Sequence, residues 1–479
     1  MANALPRTSP LKLALAGLLA TTALAGCAAV PKLPPAQAIK APDAYASQQS
    51  LAAPAADWPA DRWWTAYGDT QLDALVDEAL AGSPDLVAAE ARVRKAEALA
   101  GQARSATLPS LSAGATYASV KQSYNNGIPA AFVPKGYNDT GRATLDFSWE
   151  LDFFGKNRAA LAAATSQAEA SKADAAEARL VLSTSVAAAY ADLAQLFADR
   201  DAAADAVKTR EQTAQLTADR AANGLENRGS AEQSKAGLAS ARAQLAAADE
   251  AVGLTRNRIA ALLGAGPDRG LAIQRPKVGT LKAFGLPANL SADLIGRRPD
   301  VVAARLRAET AAQSIKEAKA EFYPNVDLSA YFGQQSLGLD LLTKGGSRIG
   351  SIGPAVRLPI FQGGALRANY RGAAADYDAA VASYNGALAQ ALKDVADAAV
   401  SARALDARLD ETRKAVAASS AAHDIALQRY RGGLATYLEV LSAEDALIAN
   451  QRTLADLETR AFTLDVALVR ALGGGYRAA

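Results

Sequence analysis

The chain of 479 residues contains the same order of landmarks twice. The segment "SPDLVAAEARV" matches "RPDVVAARLRA" at an offset of 215, and the same offset aligns Pro109 with Pro324. Farther along the chain the offset becomes 209, and it then aligns Gly224 with Gly433 without a further gap. Alanine-rich segments align by accident, but proline and glycine landmarks that keep their spacing do not. We therefore infer an internal duplication, so that any fold must be built from two similar units.

Each copy predicts the same series of elements. A short helix is followed by two alternating strands, a very long helix of about 100 Å, and a helix that returns after a glycine turn. The pattern therefore predicts an α+β protein with a duplicated repeat. The predicted boundaries are repeat 1 at 71–266, with strands within 110–154 and long helices within 156–264; an inter-repeat segment at 267–298; and repeat 2 at 299–475, with strands within 325–361 and long helices within 365–472.

The second long helix carries an apolar residue at every seventh position. A seam sustained over this length predicts coiled-coil-like packing between neighbouring helices. The only histidine of the chain lies on this seam, and we expect a structural role for it rather than a role as a ligand. The seam comprises Val381, Leu388, Val395, Ala402, Leu409, Val416, His423 and Tyr430.

The segment "TLDFSWELDFF" at 144–154 alternates between apolar and polar residues without interruption. Such alternation predicts a strand with one apolar face and one acidic face. We expect Asp146, Glu150 and Asp152 to face water. The opposite face is expected to contact lipid through Leu145, Phe147, Trp149, Leu151 and Phe153.

Four amphipathic strands in one chain leave unpaired edges, which lipid does not tolerate. Other copies of the chain must therefore complete the sheet. Two copies would give a barrel of eight strands that side chains nearly fill. Three copies would give twelve strands, with room for a water-filled lumen.

The N-terminus reads as an export signal with a lipid attachment site. Positive residues precede an apolar run that is too short to span a bilayer, and the run ends in Leu-Ala-Gly-Cys, which resembles the bacterial lipobox. The alternative is an ordinary signal peptide followed by a chance cysteine. We predict a lipoprotein signal peptide at 1–26, acylation of Cys27 with chains such as palmitate, and an acylated N-terminal tether at 27–70. Ala28 follows the cysteine instead of an aspartate, which favours the outer membrane.

Composition excludes several classes of function. The net charge of +2 gives no reason to expect nucleic-acid binding, and a single His and a single Cys leave little material for a metal site. No nucleophile–base pair and no phosphate-binding glycine loop is evident. We therefore expect neither an enzyme nor a cofactor, apart from covalent lipid on Cys27.

Several segments resemble the outer-membrane factor family of the TolC and OprM type, in its lipoprotein (NodT-like) branch associated with drug efflux. They cover nearly all of the chain after the signal peptide, in the order of the family. The resemblance implies a homotrimer with a 12-stranded β-barrel continued by a periplasmic α-helical barrel, and an equatorial belt near 267–298. The segments are "WWTAYGD", "LSADLIGRRPDVVAAR", "AEFYPNVDLSA", "LPIFQGGALRA" and "QRYRGGLATYLEVLSAEDAL".

The resemblance also implies a periplasmic gate at the turn after the second long helix. Glu439 matches a family carboxylate that narrows this entrance, and three copies would form an anionic ring. The alternative is a solvated glutamate on a helix surface. Ser442 stands where the family often has a second carboxylate, so Tyr430 and Arg429 are the other candidate gate residues.

The turn residues Gly224-Leu225 and Gly433-Leu434 match the positions where a periplasmic adaptor docks in the family. The alternative, which is compatible with docking, is a turn glycine with positive φ beside a buried leucine. The resemblance thus implies an exit duct of a tripartite efflux system, with an adaptor, an inner-membrane pump of the RND type and outer-membrane lipid as partners. A type I protein-secretion duct is the alternative, and a periplasmic adaptor lipoprotein is disfavoured because adaptors have one hairpin.

Overall fold

The structure is a computed structural model that describes residues 30–277, 284–288 and 290–478. The predicted signal peptide and Cys27 lie outside the described residues, as does part of the predicted inter-repeat segment. The described chain forms two compact units. One holds 30–39, 93–170 and 304–383, and the other holds 40–92, 171–303 and 384–478. Each unit takes matching parts from both repeats.

The elements follow the duplicated order. They are α1 (Thr70–Gly82), α2 (Pro84–Ser105), β1 (Ser110–Val120), β2 (Asn138–Glu150), α3 (Lys156–Ala222), α4 (Arg228–Leu262), α5 (Asp268–Leu271), α6 (Leu290–Arg297), α7 (Pro299–Ala320), β3 (Asn325–Leu337), β4 (Arg348–Arg357), α8 (Ala365–Arg431) and α9 (Tyr437–Ala471).

The two repeats have the same dimensions. The long helices α3 and α8 have 67 residues each, and the return helices α4 and α9 have 35 residues each. Helix α6 precedes α7 as α1 precedes α2, so the second repeat begins near Leu290 and not at 299. The sequence did not reveal this start because a helix of eight residues carries too few apolar positions to define a period.

The heptad seam of α8 packs inward. Val381, Leu388 and Val395 have no exposed surface, and Tyr430 is 1% exposed. Helix α3 contains an apolar stretch long enough to cross a membrane, but more than half of that stretch is buried within the chain. The long helices are therefore held by packing along one face, as the seam predicts.

The segment predicted as a tether is anchored by the core in its last part. Trp63, Trp64 and Tyr67 are buried, and the Tyr67 ring lies 4.7 Å from the ring of Phe462. Asp69 then caps α1 by accepting from the backbone N–H of Gln71 at 2.9 Å. The earlier part of the segment also contacts the folded chain, because the backbone N–H of Gln37 donates to Asp378 at 2.8 Å and that of Ala56 donates to the Leu286 carbonyl at 3.0 Å. The described part of the predicted tether is therefore held along its length.

The four strands form one antiparallel sheet in the order β1-β2-β3-β4. The β2–β3 pairing joins the two repeats, with Phe147 opposite Ala330. Strands β1 and β4 each have a neighbour on one side only. Both outer edges therefore present unpaired backbone groups.

Candidate functional site: the sheet faces and the hairpin tips

One face of the sheet is apolar across all four strands. Directly paired residues lie on the same face, so the register defines its members. Most of these side chains are exposed in the single chain, among them Leu145 by 50% and Ile352 by 77%. The face consists of Leu111, Ala113, Leu145, Phe147, Trp149, Val326, Leu328, Ala330, Phe332, Ile352, Pro354 and Val356.

The opposite face is polar, and it includes Asp146 and Glu150. The Thr144 hydroxyl donates to the Asp146 carboxylate at 2.9 Å, and Lys156 forms an ion pair with Glu150 at 2.6 Å. Other members of this face are Ser112, Thr116, Arg142, Ser148, Asp327, Ser329, Gln335 and Ser351. The sheet thus has the two faces that a wall between lipid and water requires.

Asp152 does not belong to this polar face. Strand β2 ends at Glu150, although the alternation of the sequence continues to 154. The Asp152 carboxylate accepts from the backbone N–H of Arg158 at 2.9 Å and from its guanidinium at 3.3 Å. Asp152 therefore caps the first turn of α3, because Gly155, with φ of +79°, turns the chain out of the sheet.

The two hairpin tips, which we define as residues 220–230 and 429–439, have the same backbone turn. Gly224 and Gly433 adopt φ of +69° and +73°. In each tip the leucine that follows donates its N–H to the carbonyl of an arginine at 2.8 Å. A Cβ on either glycine would meet open space, so the positive φ alone requires glycine.

The leucines at both tips are exposed. Leu225 is 66% exposed and Leu434 is 74% exposed, so the alternative with a buried leucine is wrong. Their carbonyl groups accept from Arg220 at 3.5 Å and from Arg429 at 3.1 Å. The same arginine–carbonyl contact is therefore present in both tips, and each tip leaves an apolar side chain in solvent.

Glu439 holds the start of α9 and does not stand free. Its carboxylate accepts from the Thr436 backbone N–H at 3.1 Å and lies 3.3 Å from the Arg429 guanidinium. The side chain is about half exposed, and Ser442, one turn farther on, is exposed. The structure thus brings Glu439 and Arg429 together, and Ser442 stays apart from this pair.

A contact between the two tips is the feature that sequence reasoning missed. The buried Tyr430 donates its hydroxyl to Glu226 of the first tip at 2.9 Å, and Arg220 lies 4.6 Å from its ring. Burial and the Glu226 hydrogen bond raise the pKa of Tyr430 to about 12. Burial alone would raise the pKa of Glu226, but hydrogen bonds from the Asn227 amide and Tyr430 hold it below its ordinary value.

A buried ion pair links α3 with α9 behind the tips. Glu444 has no exposed surface; its carboxylate lies 2.7 Å from Arg210 and accepts from the Thr213 hydroxyl at 2.8 Å. Nε2 of His423 lies 4.0 Å from the same carboxylate. His423 is buried among protein groups, and the described residues contain no group of three or more metal-ligating side chains.

The "RRPD" segment serves packing in the second unit. The buried Arg298 binds Asp300 at 2.6 Å and Asp394 of α8 at 2.8 Å. Spacing in the sequence can predict the contact of Arg298 with Asp300 but not that with Asp394, because Asp394 is 96 residues away from Arg298. The segment therefore fixes α7 against α8.

An amphipathic sheet with open edges, joined to two hairpins of 67- and 35-residue helices, defines a channel-forming protein of the outer membrane. The family model of the outer membrane efflux proteins matches residues 75–265 and 290–474. The chain belongs to this family.

Relatives and solved structures agree with this class. The chain is 38% identical over 365 residues to the fusaric acid resistance protein FusA of Burkholderia cepacia, covering 74% of this chain and 68% of the relative. It is 31% identical over 477 residues to the multidrug resistance outer membrane protein MdtP of Escherichia coli O6:H1, covering 96% and 95%. The crystal structure of the outer membrane protein VceC of Vibrio cholerae superposes with a TM-score of 0.83 at 46% identity, covering 88% of this chain and all of VceC. The protein is thus an outer-membrane efflux channel.

Proposed function

We propose that three copies of the chain form the channel as a homotrimer, in which β4 of one copy pairs with β1 of the next. The observation that carries this proposal is the four-stranded sheet with two open edges and an exposed apolar face. Twelve strands would enclose a lumen lined by the polar face with Asp146 and Glu150, and the apolar face would contact lipid.

We further propose that the channel is the passive exit duct of a tripartite system for small molecules. The relatives are named for resistance to fusaric acid and to multiple drugs, which favours small solutes over secreted proteins. Energy would come from an inner-membrane pump of the RND type, through a periplasmic adaptor. The exposed Leu225 and Leu434, each beside a glycine, are the proposed adaptor contacts, since small residues let another helix approach closely.

Cys27 is the proposed membrane anchor. The Leu-Ala-Gly-Cys sequence supports cleavage before this residue and covalent attachment of lipid to it. Replacing Cys27 by serine should abolish incorporation of labelled palmitate, whereas oligomer mass in detergent should stay that of three chains. Acylation that persists in Cys27→Ser would contradict this assignment.

The hairpin tips are the proposed gate. Arg429 and Glu439 pair within the second tip, and the bond from Tyr430 to Glu226 joins the second tip to the first. Opening requires that the tips separate, so contacts between and within the tips favour the closed state. Ser442, as an exposed neutral residue, would offer a weaker constriction than a second carboxylate.

Planar-bilayer recording of the purified full-length chain tests this function. The wild type should insert and conduct, and Glu439→Ala should raise the conductance because it removes the pair with Arg429. Glu232→Ala is the matched control, because it removes an exposed carboxylate from the first turns of α4. A protein that inserts and never conducts would contradict the proposed channel function. An unchanged conductance in Glu439→Ala would show that Glu439 is not part of the gate.

A further inference from the structure

The hairpin tips carry an excess of positive charge. Residues 220–230 and 429–439 contain four arginines and two glutamates, so the two tips of one chain together carry a net charge of +2. The family resemblance, by contrast, implies an anionic ring of Glu439 at this entrance. The sign of the charge that a solute meets depends on which of these six groups are already neutralised within the protein.

Both tip carboxylates are satisfied by groups of the same chain. Glu439 binds the Thr436 amide and pairs with Arg429. Glu226 is half-buried and accepts from Tyr430, with Arg220 close to both. Neither carboxylate is left to offer an uncompensated negative charge to the solvent.

Two of the exposed tip arginines, Arg228 and Arg431, have no carboxylate partner among the described residues. The ion pair with Lys235, at 2.9 Å, is the main cause that lowers the pKa of Glu232, and Arg228, one turn before Glu232 on α4, contributes less. The carbonyl of Arg431 accepts from Arg220, but its guanidinium points to no carboxylate.

The position of Arg228 is electrostatically unfavourable for its own helix. It is the first residue of α4, where the positive end of the helix dipole repels a cation, and the first turn contains no acidic residue. Helix stability therefore does not account for an arginine there. An exposed cation kept at an unfavourable place is consistent with a role toward the solvent.

We infer that the tips make an entrance that favours anionic solutes, with Arg228 and Arg431 as the residues that set this preference. The inference rests on the proposed function, because three copies must bring the tips around one axis. A ring of uncompensated guanidinium groups raises the local concentration of anions and opposes cations. The chemical class of solute that it favours is the organic anion, of which an ionised carboxylate is one example, because a guanidinium group matches the geometry of carboxylate and phosphate groups.

Reversal potentials in asymmetric salt test this inference on the full-length channel. With KCl, the chloride-to-potassium permeability ratio should exceed one, and it should fall about two- to fivefold in the double variant Arg228→Gln, Arg431→Gln. Potassium benzoate in place of KCl should show the same preference for the anion. Arg242→Gln is the matched control, because it removes an exposed guanidinium from the same helix away from the tip, and its ratio should equal that of the wild type.

Opposite results would overturn the inference. A wild type that prefers potassium, or a double variant with an unchanged permeability ratio, would show that these arginines do not set the preference. In either case the measured conductance would still support the proposed channel function. Glu439→Gln provides a second check that does not depend on the folding of the double variant. It frees Arg429, so the ratio should rise, and a fall would contradict a cationic entrance. Absence of conductance in every variant would overturn the proposed function and this inference with it.

Discussion

The two hairpin tips share one backbone turn and differ in almost every side chain around it. Gly224 and Gly433 have nearly the same φ, and each tip carries the same arginine-to-leucine hydrogen bonds. At the offset of 209, however, Glu226 corresponds to Ala435 and Tyr430 corresponds to Ala221. The first tip supplies a carboxylate and the second supplies the tyrosine that binds it.

This difference shows that the two repeats keep the same backbone turn but not the same side chains around it. The turn is retained because a positive φ admits few residues other than glycine. The side chains between the tips differ between the repeats, because equivalent positions in the two tips face different neighbours. Two equivalent halves have therefore become two complementary ones, and a substitution should have unequal effects at equivalent positions.

The largest expected difference in the free energy of unfolding is between alanine variants at Glu444 and at the equivalent position of the first repeat, Lys235. Glu444→Ala leaves the mostly buried Arg210 without its inner partner, so we expect a loss of about 3 kcal/mol in the free energy of unfolding. Lys235→Ala removes an exposed side chain and should change it by less than about 0.5 kcal/mol. Urea denaturation in detergent measures both, and equal effects would mean that the two hairpins are packed alike.

Tyr430→Phe should break the contact between the tips with little change in volume. The lost hydrogen bond has a carboxylate acceptor, so we expect a cost of about 1.5 kcal/mol and a higher open probability in bilayer recordings. Tyr437→Phe is the control, since Tyr437 is a second buried tyrosine that packs in the same hydrophobic cluster as Tyr430. Equal open probabilities in Tyr430→Phe and the wild type would show that this bond does not hold the tips together.

Gly224→Ala and Gly433→Ala test the feature that the tips share. Both place a Cβ at positive φ without a steric clash, so each should cost about 1 kcal/mol, and the two costs should agree. Thermal unfolding of the two variants measures this. Gly253→Ala, in the interior of α4 with open space around its Cβ, should instead raise the melting temperature. Clearly different costs at the two tips would show that the turns are not equivalent.

The smallest expected effect is a pH dependence that arises from a carboxylate of the first tip, Glu226. The pKa of Glu226 is lower in the folded protein than its ordinary value, because hydrogen bonds from Asn227 and Tyr430 outweigh burial. Its contribution to stability is therefore complete above the ordinary glutamate pKa and is lost as pH falls through the lowered pKa. Stability measured from pH 7 down to pH 3 should lose part of its acid dependence in Glu226→Gln, and an unchanged profile would contradict this linkage.

The sequence by itself determined the duplication, the alternation of the strands, the long helices with their heptad seam, and the glycine turns. These follow from local rules, since periodicity and positive φ depend on residues close in sequence. It overextended β2 to 154, because alternation cannot show that Asp152 caps the next helix. It also set the second repeat to begin at 299, after the short helix α6 that belongs to it.

Only the tertiary structure decided which charges at the tips are neutralised. Glu226 and Tyr430 are 204 residues apart, and Arg210 and Glu444 are 234 apart by number, so no spacing rule connects them. The sequence marked Glu439 as a candidate anion, and the fold paired it with Arg429. Side chains that meet across helices depend on how the helices pack, and packing brings together residues that the chain itself keeps far apart.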